Sequence, residues 1–180
     1  SFPTRRSSDL NMTETPLVSM IIVVRNSINH IENSLKSIIS QSYNKDKVEL
    51  IFVDGMSVDG SYEYLLSEKE KLKKTGYSVV LLKNKNKTLA SGWNLAIKSS
   101  NADYVCRIDA HAEIDSEYVK VGISTLLNER NNKVVAVGGW LKNKSGDSYI
   151  ERTIAQLLCS PFGIGNSPVR RPKLNIKVTD

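Results

Sequence analysis

The sequence predicts an α/β protein, a mostly parallel sheet flanked by helices, and three observations predict it. Four short apolar runs have strand length: Leu17–Val24, Val48–Val53, Ser78–Leu82 and Tyr104–Ile108. Between them lie stretches whose apolar residues recur every three or four positions, as on one face of a helix. Each run is closed by polar residues. Strand and helix alternating four times imply parallel pairing through right-handed crossovers. No internal repeat or interdomain linker interrupts the pattern, and 180 residues suit one domain with a real core.

Leu17–Val24 is almost wholly apolar, as a central parallel strand buried on both faces must be. Arg25-Asn26-Ser27 ends it. Asn29 is placed to cap the first helix with Glu32 three residues on, and Ile31, Leu35, Ile38 and Ile39 form its inward stripe. The second strand runs into Asp54, and Asp59 is placed to cap the second helix. That helix turns Tyr62, Leu65, Leu66 and Leu72 inward and stops at Gly76. After the third strand comes a polar loop, Lys83–Lys87, and a helix starting near Ala90 that carries Trp93, Ala96 and Ile97. The fourth strand is read as buried, with Arg107 breaking its apolar run. A helix over Ser116–Asn128 follows, then a strand over Val134–Leu141 containing Gly138-Gly139, a helix over Tyr149–Cys159 and a Gly/Pro loop over Ser160–Pro168. The first thirteen residues have no apolar segment and read as a non-native or disordered leader, leaving 14–180 as the folded domain.

Composition narrows the function classes. Forty per cent hydrophobic and 24% charged residues are those of a folded globular chain. The net charge of +6 suits anionic ligands or an acidic membrane surface. No stripe of aromatics interleaved with basic residues marks a nucleic-acid groove, so no nucleic-acid partner is expected. Cys106 and Cys159 offer no disulfide framework and read as buried thiols. No apolar run approaches the roughly 18 residues that span a bilayer. A cytoplasmic location is expected.

The chemistry gathers where strands end. Asp109 and His111 flank Ala110 just beyond the fourth strand; if the backbone stays extended, residues i and i+2 point the same way. In open α/β sheets ligands bind at that carboxyl edge. An Asp-Ala-His pair there suits a divalent metal whose remaining positions take a phosphate-bearing substrate. The alternative is ordinary: an aspartate after a strand also forms turns or caps helices, and a lone histidine is often a hydrogen-bonded surface residue. Arg25, Asn26 and Asp54 end strands at the same edge. Asp54 is suited to accept from a base N–H or a ribose hydroxyl, or simply to shape a turn; Glu32 either supports that contact or caps its helix. His30 reads as structural. No phosphate-binding loop of the G-x-x-x-x-G-K-[ST] type and no G-x-G-x-x-G follows the first strand. Two histidines and two cysteines supply neither a catalytic triad nor a tetrahedral zinc set.

These residues resemble those of family 2 glycosyltransferases. Val18-Ser-Met-Ile-Ile-Val-Val-Arg-Asn26 with Ile31-Glu32 and Leu35 is similar to that family's opening strand and helix. Val53-Asp-Gly-Met-Ser-Val-Asp-Gly-Ser61 resembles its V-D-D-G-S-T-D-G-T segment. Ala90-Ser-Gly-Trp-Asn94, Arg107-Ile-Asp-Ala-His-Ala112 and Ser160-Pro-Phe-Gly-Ile-Gly-Asn166 look like the succinoglycan-biosynthesis branch, where D-x-H replaces D-x-D. The likeness spans about Pro16 to Asn166.

The resemblance implies a Rossmann-like GT-A fold and inverting transfer from a nucleotide diphosphate sugar, a UDP-sugar foremost, to a saccharide or lipid-linked acceptor at the cytoplasmic face of a membrane, with peripheral association. It implies that Arg25, Asn26, Glu32 and Asp54 line the nucleoside pocket, that Asn94 lies near the donor ribose or phosphate, and that Asp109 and His111 meet the metal–diphosphate. The implied cofactor is a divalent metal, Mn²⁺ or Mg²⁺. Three departures stand out: Val23 where proline is common, Gly55 for the second aspartate, and His111 for the second metal carboxylate, which favours Mn²⁺ over Mg²⁺. The family's base carboxylate comes later in the chain and is expected beyond Asp180, making this a C-terminally truncated, donor-binding part; Glu113, Asp115 and Asp147 are not assigned that role. The competing expectations are a catalytically incomplete nucleotide-sugar-binding module and an unrelated α/β nucleotidyltransferase.

Overall fold

The computed structural model describes residues 15–129, 134–139, 149–150 and 153. The chain divides into two compact units, the first ending at Val119 and the second starting at Lys120. In the first, β1 (Val18–Val24), β2 (Val48–Asp54), β3 (Ser78–Lys83) and β4 (Tyr104–Asp109) form one parallel sheet in the order β3-β2-β1-β4. Helices α1 (Ile28–Ile39), α2 (Ser61–Lys74) and α3 (Leu89–Ser99) connect them, and α4 (Tyr118–Asn128) leads out of the unit. No described helix is long and apolar enough to cross a membrane.

The two inner strands account for the core. Every residue of β2 is buried, and Met20, Ile21, Ile22 and Val24 of β1 have no exposed surface. Their β-branched, apolar side chains pack on both faces, which is why these runs carry no alternation. On one face Ile21, Ile51 and Val53 meet Ala96 of α3, with Val23, Trp93 and Leu95 packed alongside. The first two crossovers run the same way along the sheet and the third runs back, so right-handedness puts α1 and α2 together on the opposite face.

Several expectations need correcting. β4 is not a buried strand: it lies at the end of the strand order, and Val105 and Arg107 face outward while Cys106 is half-buried. Ile39 and Leu66 sit on the flanks of their helices and are exposed; Ser34 takes a buried place on α1 instead. Asn29 does not cap α1. The cap residue is Ser27, and the first free N–H, that of Ile28, is taken by the Asp59 carboxylate of a distant loop (3.0 Å). Glu32 accordingly forms no capping box and pairs on the surface with Lys36 (2.6 Å). Residues 134–139 of the strand expected over Val134–Leu141 are described and form none, the glycine pair offering no side chains for a sheet to pack. Tyr149, Ile150 and Thr153 are helical, as expected. The leader, Cys159, Asp147, the Ser160–Pro168 loop and Asp180 lie outside the described residues.

Two glycines are dictated by geometry. Gly76 (φ 96°) closes α2 through Gly76 N–H to Lys73 O and Tyr77 N–H to Leu72 O, both 3.1 Å, the paired bonds of a left-handed C-terminal cap. Gly92 lets α3 approach β1: a Cβ there would lie 2.7 Å from Val23 Cγ1. Alanine usually stabilises a helix interior by about 0.5–1 kcal/mol relative to glycine. At this position the clash reverses the sign, and Gly92→Ala is expected to cost about 1–3 kcal/mol, read from the midpoint of urea unfolding.

Candidate functional site

The strand order creates one topological switch: chain progress moves outward from β1 to β3, then returns past β1 to β4. The crevice between the carboxyl ends of β1 and β4 is where such sheets bind ligands. A cleft of about 320 Å³ opens there, within the range of small-molecule sites. Val23, Arg25 and Ser27 line it from β1, Arg107, Asp109 and His111 from β4, and Asn84, Lys87 and Thr88 from the loop after β3. Parallel register sets Val23 abreast of Asp109. Three cations face a single carboxylate, a balance suited to a multiply charged anion.

The loops around this cleft hold strained backbone. Asn26, Met56 and Lys87, one after each of β1, β2 and β3, have φ of 48°, 61° and 60°. Left-handed non-glycine residues of this kind cost about 1–3 kcal/mol each and persist only where surroundings enforce them. The enforcement is visible. Asn26 N–H donates to Ser57 Oγ and Val58 N–H to Asn26 Oδ1, each at 3.0 Å. Asp54 accepts Ser57 N–H through Oδ2 (3.1 Å), and its carbonyl accepts Asn84 N–H (2.7 Å). Lys87 N–H donates to Asn84 O (3.1 Å), while Arg25 Nη1 donates to Lys87 O (3.2 Å). The buried Asn84 side chain completes the loop, donating to Thr88 O (2.8 Å) and accepting from Ser91 Oγ (2.9 Å).

Asp59 ties two helix starts together. Its Oδ2 accepts Ile28 N–H of α1, and its Oδ1 accepts the N–H (3.0 Å) and hydroxyl (2.6 Å) of Ser61 at the start of α2. Ser61 Oγ in turn accepts Ser27 N–H (2.9 Å). Desolvation works against ionisation of Asp59, but these donors outweigh it and hold the carboxyl below its ordinary value of 3.8.

Asp109 and His111 both line the cleft, though not by the expected route. The strand ends at Asp109 and the chain turns, with Ala112 N–H donating to Asp109 O (2.9 Å), so the extended i, i+2 geometry does not hold. Ala110, buried at the turn, anchors it. The segment beyond is fixed to α1: Ile114 N–H donates to Ser37 Oγ (3.2 Å), Gln41 Nε2 donates to Asp115 O (2.6 Å), and Val119 N–H donates to Gln41 Oε1 (3.0 Å). Arg107 Nη2 lies 3.2 Å from Asp109 Oδ1. Among the described residues no cluster of three or more His, Cys, Asp or Glu side chains forms. The described lining would offer a metal the Asp109 carboxylate and the His111 imidazole, oxygen and nitrogen donors of the kind that Mn²⁺ accepts. The neighbouring Cys106 thiol, pushed up to about 11 by burial, is unsuited to binding a metal as thiolate.

Of the residues the sequence nominated, Arg25, Asp109 and His111 meet at the cleft. Asn26 braces the rim, Asp54 lies buried beneath it, and Glu32 and Asn94 sit exposed on their helices away from the lining. The sequence reading passed over Asn84, Lys87, Thr88 and Arg107. Arg107 had a signal, an arginine inside an apolar run two residues before the aspartate; Asn84 had a weaker one, an asparagine directly after a strand.

A parallel sheet with a cleft at its switch point is the open α/β arrangement that binds nucleotides and other phosphate-bearing ligands. Comparison with known proteins agrees. Residues 19–178 match Glycosyl transferase family 2, and the chain belongs to that family. It is 28% identical over 132 residues to an uncharacterized glycosyltransferase of Haemophilus influenzae, covering 73% of this chain and 38% of that protein. It is 26% identical over 153 residues to the dolichyl N-acetyl-alpha-D-glucosaminyl phosphate 3-beta-D-2,3-diacetamido-2,3-dideoxy-beta-D-glucuronosyltransferase of Methanococcus voltae, covering 83% and 46%. The chain thus spans less than half the length of these curated relatives. Among solved structures, a mannosyltransferase from Pyrobaculum calidifontis in complex with GDP-Man and Mn²⁺ superposes with TM-score 0.59 at 23% identity, over 82% of this chain and 41% of that one. S. aureus TarS 1–349 in complex with UDP gives TM-score 0.55 at 21% identity, over 63% and 33%.

Removing the shared cap should be felt at both helices. Asp59→Ala is expected to cost about 1–2 kcal/mol at neutral pH. Because the folded carboxyl titrates below its unfolded value of 3.8, the wild-type advantage is full above that pH and fades as acidity passes the folded value. Urea unfolding of both proteins from pH 7 to pH 3 should show the two curves converging in acid.

Proposed function

We propose that this domain binds a nucleotide diphosphate sugar, foremost a UDP-sugar, and takes part in inverting, metal-assisted transfer of the sugar to a saccharide or lipid-linked acceptor. The observation that carries the reading is the convergence of Asp109, His111, Arg25, Lys87 and Arg107 on one cleft at the sheet's switch point. The solved relatives bound to UDP, or to GDP-Man with Mn²⁺, support the ligand class. Asp109 and His111 would hold the divalent cation, with Mn²⁺ favoured by the imidazole. When bound, the cation stabilises the negative charge that develops on the departing diphosphate. Arg25, which donates to Lys87 O and packs against Gly55, lines the cleft and in this reading would meet the nucleoside. Gly55 leaves room for it: a Cβ there would lie 3.2 Å from Arg25 Cβ. The proposed setting is the cytoplasmic face of a membrane, approached peripherally through the net charge of +6.

One observation favours a second reading, a donor-binding module without turnover. Among the described lining residues the one carboxylate is Asp109, which pairs with Arg107 and is proposed here for the metal, so none of them is left to deprotonate an acceptor hydroxyl. Release of UDP from a UDP-sugar by this chain would decide for transfer chemistry, and tight binding without release would decide for the module.

Asp109→Asn is expected to weaken Mn²⁺-supported UDP binding about tenfold or more, because one of two protein ligands is lost. Isothermal titration with and without Mn²⁺ measures it. An unchanged affinity would remove the metal from the reading.

A further inference from the structure

Arg107 is bound to two partners of unequal permanence. Its guanidinium lies 5.1 Å from the centre of the Trp93 ring, and one of its nitrogens lies 3.2 Å from Asp109 Oδ1. Trp93 is fixed, since α3 packs it against the Ile21, Ile51, Val53 and Ala96 cluster. The ion pair lies in solvent and contributes little stability: the two side chains are 62% and 45% exposed. Asp109 is the carboxylate proposed to take the cation, and a second positive charge beside it repels whatever binds there. Arginine also matches phosphate oxygens with a planar fork that a point charge lacks.

Resting on the reading above, we propose that Arg107 is an internal counter-ion: it neutralises Asp109 until the divalent cation arrives, then turns on its Trp93 platform to pair with the donor's diphosphate. It tunes the site in two opposed directions. It weakens binding of the metal alone and strengthens binding of the phosphates.

The test uses the 180-residue chain and two probes, Mn²⁺ alone and UDP at saturating Mn²⁺, each measured by isothermal titration. Arg107→Gln is expected to bind Mn²⁺ about two- to fivefold more tightly and UDP about two- to fivefold more weakly, the scale of an exposed ion pair. Arg107→Lys, keeping the charge without the fork, should hold Mn²⁺ affinity near wild type and recover only part of the UDP binding. A merely structural arginine would move both affinities the same way or neither, and either result overturns the inference. Asp109→Asn separates the two layers. If it loses Mn²⁺ while Arg107→Gln leaves Mn²⁺ binding unchanged, the metal site stands and the counter-ion fails. If Asp109→Asn and wild type bind Mn²⁺ alike, or neither binds it, the metal reading itself fails and takes this inference with it.

Discussion

Everything at the cleft depends on the parallel pairing of β1 with β4. The two strands are 80 residues apart in sequence, yet the register puts Val23 beside Asp109. That single alignment places Arg25 and Ser27, just past the end of one strand, opposite Asp109 and His111 at the end of the other. It exists because the third crossover reverses direction, and a right-handed return over the sheet has only one side of β1 left to pair with. The full burial of β1 makes the pairing costly to break, since Met20, Ile21, Ile22 and Val24 have no other place to be dry.

A rigid sheet alone does not make a site. Its rim is a set of three loops, each bent through a left-handed residue and each stitched to the next by side chains. Asn26 joins the β1 loop to Ser57 and Val58; Asp54 joins β2 to Asn84; Arg25 reaches across to Lys87. The cost of the strained backbone is offset by hydrogen bonds that tie loop to loop together with local turn bonds such as Ser57 N–H to Asp54 and Lys87 N–H to Asn84 O. Asp59 extends the same logic to the helices, replacing two local caps with one carboxylate. The result holds the backbone of the three loops, and Arg25 with it, in place around the cleft.

The charges in the cleft are arranged in opposition. In the proposed reading Asp109 would take the cation, while Arg25, Lys87 and Arg107 would face the diphosphate. One carboxylate against three cations leaves the described lining with a surplus of positive charge, which suits an anionic ligand.

The sequence by itself determined the α/β class, all four strands, the helices between them, the stop at Gly76 and the placing of Arg25, Asp109 and His111 at one edge. Those features follow from local periodicity, burial and the general position of ligands in parallel sheets, none of which needs a long-range contact. Only the tertiary structure decided that Asp59, not Asn29 or Glu32, serves α1; that Asp54 is buried; that β4 ends the order of the described strands; and that Asn84, Lys87 and Arg107 join the cleft. In each case the outcome depends on which parts of the chain the assembled sheet brings side by side. Which parts meet depends on the register between strands, and a register is a property of the assembled sheet.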